Sequence, residues 1–92
     1  MDYFKLWMAM EIKNDLDAGL IFADVDGLRA FIKYTLDGNV MDILSTQVPS
    51  EIGGRGVAAE LTKFALDLAR KNNWEVRPTC GYTKAYLKRY ER

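Results

Sequence analysis

The residue types that could do chemistry here are a glycine cluster and a lone thiol. Gly53, Gly54 and Gly56 fall within four positions, in "IGGRGVA", directly ahead of a run with helical periodicity. Glycine costs about 1 kcal/mol relative to alanine inside a helix, so three at a helix start mark a tight turn or a close backbone approach. A helix N-terminus presents about four unpaired N–H groups and a partial positive charge, and small residues there let a phosphate reach the backbone. Arg55 inside the cluster is a possible charge partner, and Ala58 keeps the first turn small. No Gly-Lys-Ser/Thr follows, so this is not a Walker A loop. Gly54-x-Gly56 is followed by Ala59, and the strand before it reads as the end of a meander rather than part of a βαβ unit, so it is not a dinucleotide fingerprint either. An anion site is preferred over a plain glycine turn. The thiol is Cys80, just before a helix start at Gly81, a place where a cysteine can be activated.

The elements that must position these residues follow from periodicity. "MAMEIKN" (8–14) could be a strand, and "LIFADVDG" is a short strand running into an Asp26-Gly27 turn, a strong hairpin signal. "LRAFIKYTL" alternates, with Leu28, Ala30, Ile32 and Tyr34 on one side and Arg29, Phe31, Lys33 and Thr35 on the other. Asp37-Gly38-Asn39 offers a second turn into a strand over 39–49. After Gly56, Val57, Leu61, Phe64, Ala65 and Leu68 mark one face of a helix that Asn72 and Asn73 can end. "WEVRP" (74–78) is a strand. Tyr82, Tyr86 and Tyr90, with Leu87, have the spacing of a second helix and predict a packed stripe. The expectation is one α+β domain over residues 1–92: a mostly antiparallel sheet of about five strands with two C-terminal helices.

Composition narrows the chemistry. The 92 residues are 49% hydrophobic and 28% charged, an ordinary globular mix sufficient for one thin core. There is no histidine, which removes the commonest general base, the commonest metal ligand and every Ser-His or Cys-His pairing. No metal site is expected; Asp24, Asp26 and Asp42 read as turn and surface residues. One cysteine excludes an internal disulfide and fits a reducing compartment. No run approaches a membrane span, and "MDYFKLWMAM" reads as folded protein rather than a signal peptide, so a cytoplasmic location is expected. Residues 1–52 hold nine acids against four bases, and residues 53–92 hold four acids against nine bases. The basic half suggests an anionic partner.

The stretch "TQVPSEIGGRGVAAELTKFALDLARKNNWEVRPTCGYTKAYLKRY", Thr46 to Tyr90, resembles the small single-domain members of the GNAT superfamily of N-acetyltransferases. It carries a Val-Pro strand end, a glycine-rich turn into a helix, and a later Pro78-x-Cys80 before a terminal helix, in the right order and spacing. The resemblance covers half the chain and implies a GNAT-like fold with a reduced N-terminus. It also implies acetyl-CoA as ligand and transfer of its acetyl group to a primary amine by direct attack.

In such proteins the pyrophosphate rests on backbone N–H groups of the turn. The pattern Gln/Arg-x-x-Gly-x-Gly/Ala maps onto Gly53, Gly56 and Ala58, with Gly54, Arg55 and Val57 completing the turn. The pantetheine arm lies between two strands that splay apart, one ending at Val48 and the other at Arg77. A backbone N–H near Val48 would hold the acetyl carbonyl and stabilise an oxyanion. Thr46, Cys80 and Arg89 complete the implied coenzyme A-binding set. Two departures stand out. Position 53 is glycine where the pattern has Arg or Gln. Ser45-Thr46 stands where small members commonly carry His-Thr. Ser45 is therefore a candidate catalytic position without the histidine.

Acyl transfer to an amine needs a neutral amine, a polarised carbonyl and a proton for the leaving thiolate. Glu51 and Asp42 are possible bases; Tyr82, Tyr86 and Cys80 are possible acids. Cys80 has three readings: a nucleophile, a wall of the pantetheine channel, or buried filler. The resemblance favours the wall. The acidic N-terminal half would favour a cationic acceptor, whether protein lysine, polyamine or small amine. The alternative from another class is a CoA-binding module without catalysis, supported by the missing histidine and Gly53. Nucleic-acid binding by the basic half is set aside because the tyrosines have core spacing.

Overall fold

A computed structural model describes residues 10–90. Four strands run as an antiparallel meander: β1 (Ile12–Asp15), β2 (Leu20–Val25), β3 (Leu28–Asp37) and β4 (Val40–Gln47). The turns are where the sequence puts them. Asp26 and Gly27 both have positive φ, 53° and 78°, the requirement of a two-residue turn whose twist matches its strands. Gly38-Asn39 makes the next turn. After β4 come a single 3-10 turn (Ser50–Ile52), helix α1 (Val57–Lys71), strand β5 (Glu75–Pro78) and helix α2 (Gly81–Tyr90). The expected α+β architecture, a five-stranded sheet in the order β1-β2-β3-β4-β5 with two helices, is present. Of the first expected strand, residues 8 and 9 lie outside the described residues, as does most of "MDYFKLWMAM".

One expectation is corrected. The strand before the glycine turn is not only the end of a meander, because β5 pairs parallel to β4. Parallel neighbours need a crossover, and α1 supplies it. The glycine turn thus sits between β4 and α1 of a β4-α1-β5 unit, the setting a phosphate-binding turn requires.

The helices and one sheet face share a single core. Ile21, Ala23, Ala30, Ile32, Tyr34, Met41 and Ile43 point into it from the sheet, and Val57, Leu61, Ala65, Leu66 and Ala69 from α1. Fully burying one Ile or Leu side chain stabilises by about 1.5–3 kcal/mol. The buried face of α1 is rotated from the expected one: Phe64 and Leu68 are only partly covered, and Thr62 and Ala69 take the inner positions. Thr62 is tolerated there because its hydroxyl donates to the Ala58 carbonyl at 2.8 Å. Asn72 ends α1, its side-chain amide donating to the Leu68 carbonyl at 2.9 Å, and Asn73 follows in the left-handed region at φ 59°.

The predicted packed tyrosine stripe on α2 is also corrected. The three rings do meet, with centroids 6.5 Å apart for Tyr82–Tyr86 and 4.7 Å for Tyr86–Tyr90. Yet Tyr82 and Tyr90 are exposed, and the residue α2 buries outright is Thr83. The helix rolls so that Thr83, with the half-buried Tyr86 and Leu87, faces the core, while Tyr82 and Tyr90 lie outside.

Candidate active site

The site starts from a defect in the β3–β4 ladder. Lys33 pairs with Ser45 but Tyr34 pairs with Ile43, so Leu44 is an extra residue on β4. Side chains alternate along a strand, and one inserted residue moves everything beyond it to the other face. Met41 and Ile43 face the helices before the bulge. Beyond it Thr46 does, opposite the buried Ile32, while Ser45 turns to the far face beside Lys33.

The same region is where β4 loses β5. Their pairing runs from Val40–Glu75 to Ile43–Pro78. Proline cannot donate to a ladder and commonly ends a strand. The Cys80 N–H then donates to the Ile43 carbonyl at 2.8 Å, and the chain turns away into α2. β4 continues from Leu44 to Gln47 alongside β3 alone. The two strands therefore diverge near the expected place, with pairing continuing one residue past Arg77.

Cys80 and Thr46 meet across this gap, Sγ to Oγ1 at 3.4 Å. The thiol is buried, 8% exposed, at the start of α2, whose first-turn Lys84 N–H donates to the Cys80 carbonyl at 3.0 Å. Burial alone pushes the thiol pKa up. Thr46, the backbone and side chain of Thr83, and the Tyr82 backbone together outweigh it and leave the thiol below its ordinary value. The Thr83 hydroxyl is fully buried and makes no hydrogen bond of normal length with the described residues. Tyr82 lies beside this cluster. Burial, then the negative form of Tyr90, raises its pKa, and Arg89 opposes them, so Tyr82 is a protonated phenol at neutral pH.

The glycine turn is pinned from below by Ile52, which is buried, and by the Gly53 N–H donating to the Ser50 carbonyl at 3.0 Å. Gly53 is extended, with φ −66° and ψ 157°. Gly54 and Gly56 both have φ 78°, a region where a side chain costs of order 1–2 kcal/mol. A Cβ on Gly54 would meet nothing within 4 Å, so the backbone there is open to an incoming group. Gly56 caps α1 without any side-chain hydrogen bond. Val57 is buried, whereas Ala58 is only half covered. Arg55 is not idle: its guanidinium donates to Asp26 Oδ2 at 2.7 Å, joining the turn to the tip of the β2–β3 hairpin.

The expected site residues thus fall into groups. Thr46 and Cys80 meet at the strand gap, with the Tyr82 backbone beside the thiol and its ring turned to Tyr86, and Gly53 to Ala58 form the turn and helix start. Val48 packs against the core between them. Ser45 is on the opposite face of the sheet from Cys80. Arg89 sits in the last turn of α2, its guanidinium 5.8 Å from the Tyr90 ring centre. That is eight residues beyond Gly81, or about 12 Å along the axis. Tyr86 lies in the second turn of the same helix, in the ring stack. The three acids considered as a cluster are engaged separately: Asp24 with Arg29, Asp26 with Arg55, and Asp42 with the Thr79 hydroxyl at 2.6 Å. Among the described residues no group of His, Cys, Asp and Glu could hold a metal.

Sequence reasoning missed Thr83 and the bulge. The bulge left a trace in the adjacent apolar pair Ile43-Leu44, which breaks the alternation of β4. Thr83 had no local signal, because a threonine among tyrosines at helical spacing reads as surface.

Comparison with known proteins agrees with this geometry. A family profile described as GCN5-related N-acetyl-transferase matches residues 21–92. "Protein NATD1" from Gallus gallus is 36% identical over 61 residues, covering 65% of this chain and 56% of that protein. The Homo sapiens protein of the same name is 36% identical over 61 residues, covering 54% of its length, and the Xenopus tropicalis one is 34% identical over the same span. The chain spans about half the length of these relatives. With a profile match across most of its length and a sheet that splits beside a glycine turn, this chain belongs to the GCN5-related N-acetyltransferase family.

Proposed function

We propose that the protein binds acetyl-CoA and transfers its acetyl group to a primary amine by direct attack. The observation that carries this reading is the gap between β4 and β5, where the bulge at Leu44 aims Thr46 at Cys80, continuing into a helix start at Val57, ten residues after Gln47, with no side-chain cap. The residues present suit the ligand. The turn is open at Gly54, and α1 begins without a side-chain cap.

Bound acetyl-CoA supplies an activated acyl thioester. The first N–H groups of α1, at Val57 and Ala58, and those of Gly54 to Gly56 hold the pyrophosphate, with Arg55 adding charge when it leaves Asp26. The edge of β4 between Thr46 and Val48, released from β5, offers a backbone N–H to the acetyl carbonyl. Cys80 and Thr46 form the channel wall against the sulfur. Tyr82, a phenol whose partial burial raises its pKa, donates the proton that the departing thiolate needs. The amine forms the new C–N bond as the C–S bond breaks, and its surplus proton passes to water.

Titrating acetyl-CoA into the protein by calorimetry tests the binding step, and thiol release over an amine panel tests the chemistry. Saturable heat and amine-dependent thiol release are expected, with Cys80 unacetylated by intact mass. No heat would sink the proposal. Binding with no release over the panel would instead support a non-catalytic CoA-binding module, the reading favoured by a chain with no histidine and with Ser45 facing away from Cys80.

A further inference from the structure

The sheet face away from the helices carries a groove of about 560 Å³ beside the strand gap. Phe31, Val48 and Pro49 give it an apolar floor, Ser45 and Gln47 belong to the freed part of β4, and Lys33 and Arg29 stand at its rim. Its charge is one-sided. Arg29 is neutralised by two hydrogen bonds to Asp24, at 2.9 and 3.0 Å, and lies flat over the Phe22 ring at 4.0 Å. Lys33 Nζ donates to the Ala18 carbonyl at 2.9 Å. It forms no ion pair among the described residues, so two of its three donors and its full charge are available to a ligand. The acidic excess of the N-terminal half led to an expected cationic acceptor, but Asp24 and Asp26 pair with Arg29 and Arg55, and among the described residues no acid lines this groove.

We infer, resting on the acetyl-transfer reading above, that this groove is the acceptor site and that it selects an α-amino acid with an apolar side chain. The carboxylate meets Lys33, the side chain lies on Phe31, Val48 and Pro49, and the α-amine reaches the gap past Ser45. One argument favours an α-amine over a lysine ε-amine. The chain offers no histidine to take the proton. The α-amine of an amino acid is less basic than a lysine ε-amine, so more of it is neutral at neutral pH. A volume of about 560 Å³ suits a small molecule rather than a protein surface.

L-phenylalanine, phenethylamine and a lysine-containing peptide with a blocked N-terminus would be compared by thiol release from acetyl-CoA, and phenylalanine binding measured separately by calorimetry. Phenylalanine is expected to have the highest kcat/KM. Lys33→Gln should raise its KM and weaken its binding about tenfold, the loss of one charge-assisted contact. Lys33→Arg should restore most of it, and acetyl-CoA affinity should be unchanged in both. Faster reaction of the lysine peptide or phenethylamine, or unaltered phenylalanine binding in Lys33→Gln, overturns this assignment while leaving acetyl-CoA binding intact. Loss of acetyl-CoA binding in the unmutated protein would instead overturn the underlying reading.

Discussion

Replacing Asp26 with asparagine should tighten coenzyme A binding. Arg55 is the one cation within the glycine turn, and its guanidinium is held by Asp26 at 2.7 Å. Both side chains are about half exposed or more, 49% and 64%, so the pair is worth about 0–1 kcal/mol. A phosphate that recruits Arg55 must break it. Asparagine removes the competing charge yet keeps the turn, because asparagine tolerates the left-handed conformation of position 26, φ 53°, and Asn-Gly suits this hairpin as well as Asp-Gly. The upper bound is thus about 1 kcal/mol, or roughly a fivefold lower Kd. Calorimetric titration of CoA at low salt reads it, and the gain should shrink at high salt as the Debye length falls from about 10 Å to about 3 Å. Arg55→Ala alone should weaken binding, and adding Asp26→Asn to it should give little or no gain, since the cycle isolates the pair. Unchanged or weaker binding in Asp26→Asn, or a full gain that persists without Arg55, would refute the competition.

Thr46→Val should raise the Cys80 pKa by removing one of the groups that lower it, read from thiolate ultraviolet absorbance against Cys80→Ser. Because the folded thiol lies below its unfolded value, its contribution to stability is absent below the folded pKa and complete above the unfolded one; the stability gap between the protein and Cys80→Ala should therefore widen as pH rises through that window. Tyr34→Phe removes a hydrogen bond from a nearly buried phenol to Asn14 Oδ1 at 2.6 Å, and should cost about 1 kcal/mol, or roughly 4–8 °C in Tm by calorimetry. Deleting Leu44 should restore continuous alternation on β4, turn Thr46 to the far face and abolish CoA binding, while far-ultraviolet circular dichroism keeps the signature of the sheet and helices.

The parts of the fold legible from sequence are those fixed by local chemistry. Asp26-Gly27 needs positive φ at both positions, the alternation of Ala30, Ile32 and Tyr34 needs one buried face, and Asn72-Asn73 supplies a helix end; each lies where the pattern puts it. What depended on distant partners was less visible. The rotation of α1 toward Thr62 and Ala69 follows from the sheet it lies on, and the outward turn of Tyr82 and Tyr90 follows from Thr83, Tyr86 and Leu87 taking the inner positions of α2. Nothing local says that Arg55 reaches Asp26, 29 residues earlier in the chain.

The bulge at Leu44 connects these observations. A regular β4 would have paired Ser45 with Ile32, facing Cys80, and Thr46 with Phe31 on the far face. The inserted residue reverses them, so the hydroxyl facing the thiol belongs to the branched residue with fewer rotamers. It also falls one residue past the last β4–β5 pair, so the side-chain reversal and the strand separation coincide. Bulges bend the strand that carries them and increase its twist. A single extra residue therefore helps open the gap between β4 and β5, lines its inner side with Thr46, and leaves Ser45 on the groove face. On the acetyl-transfer proposal, the two faces of one freed strand segment would meet different molecules, acetyl donor on the Thr46 side and amine on the Ser45 side.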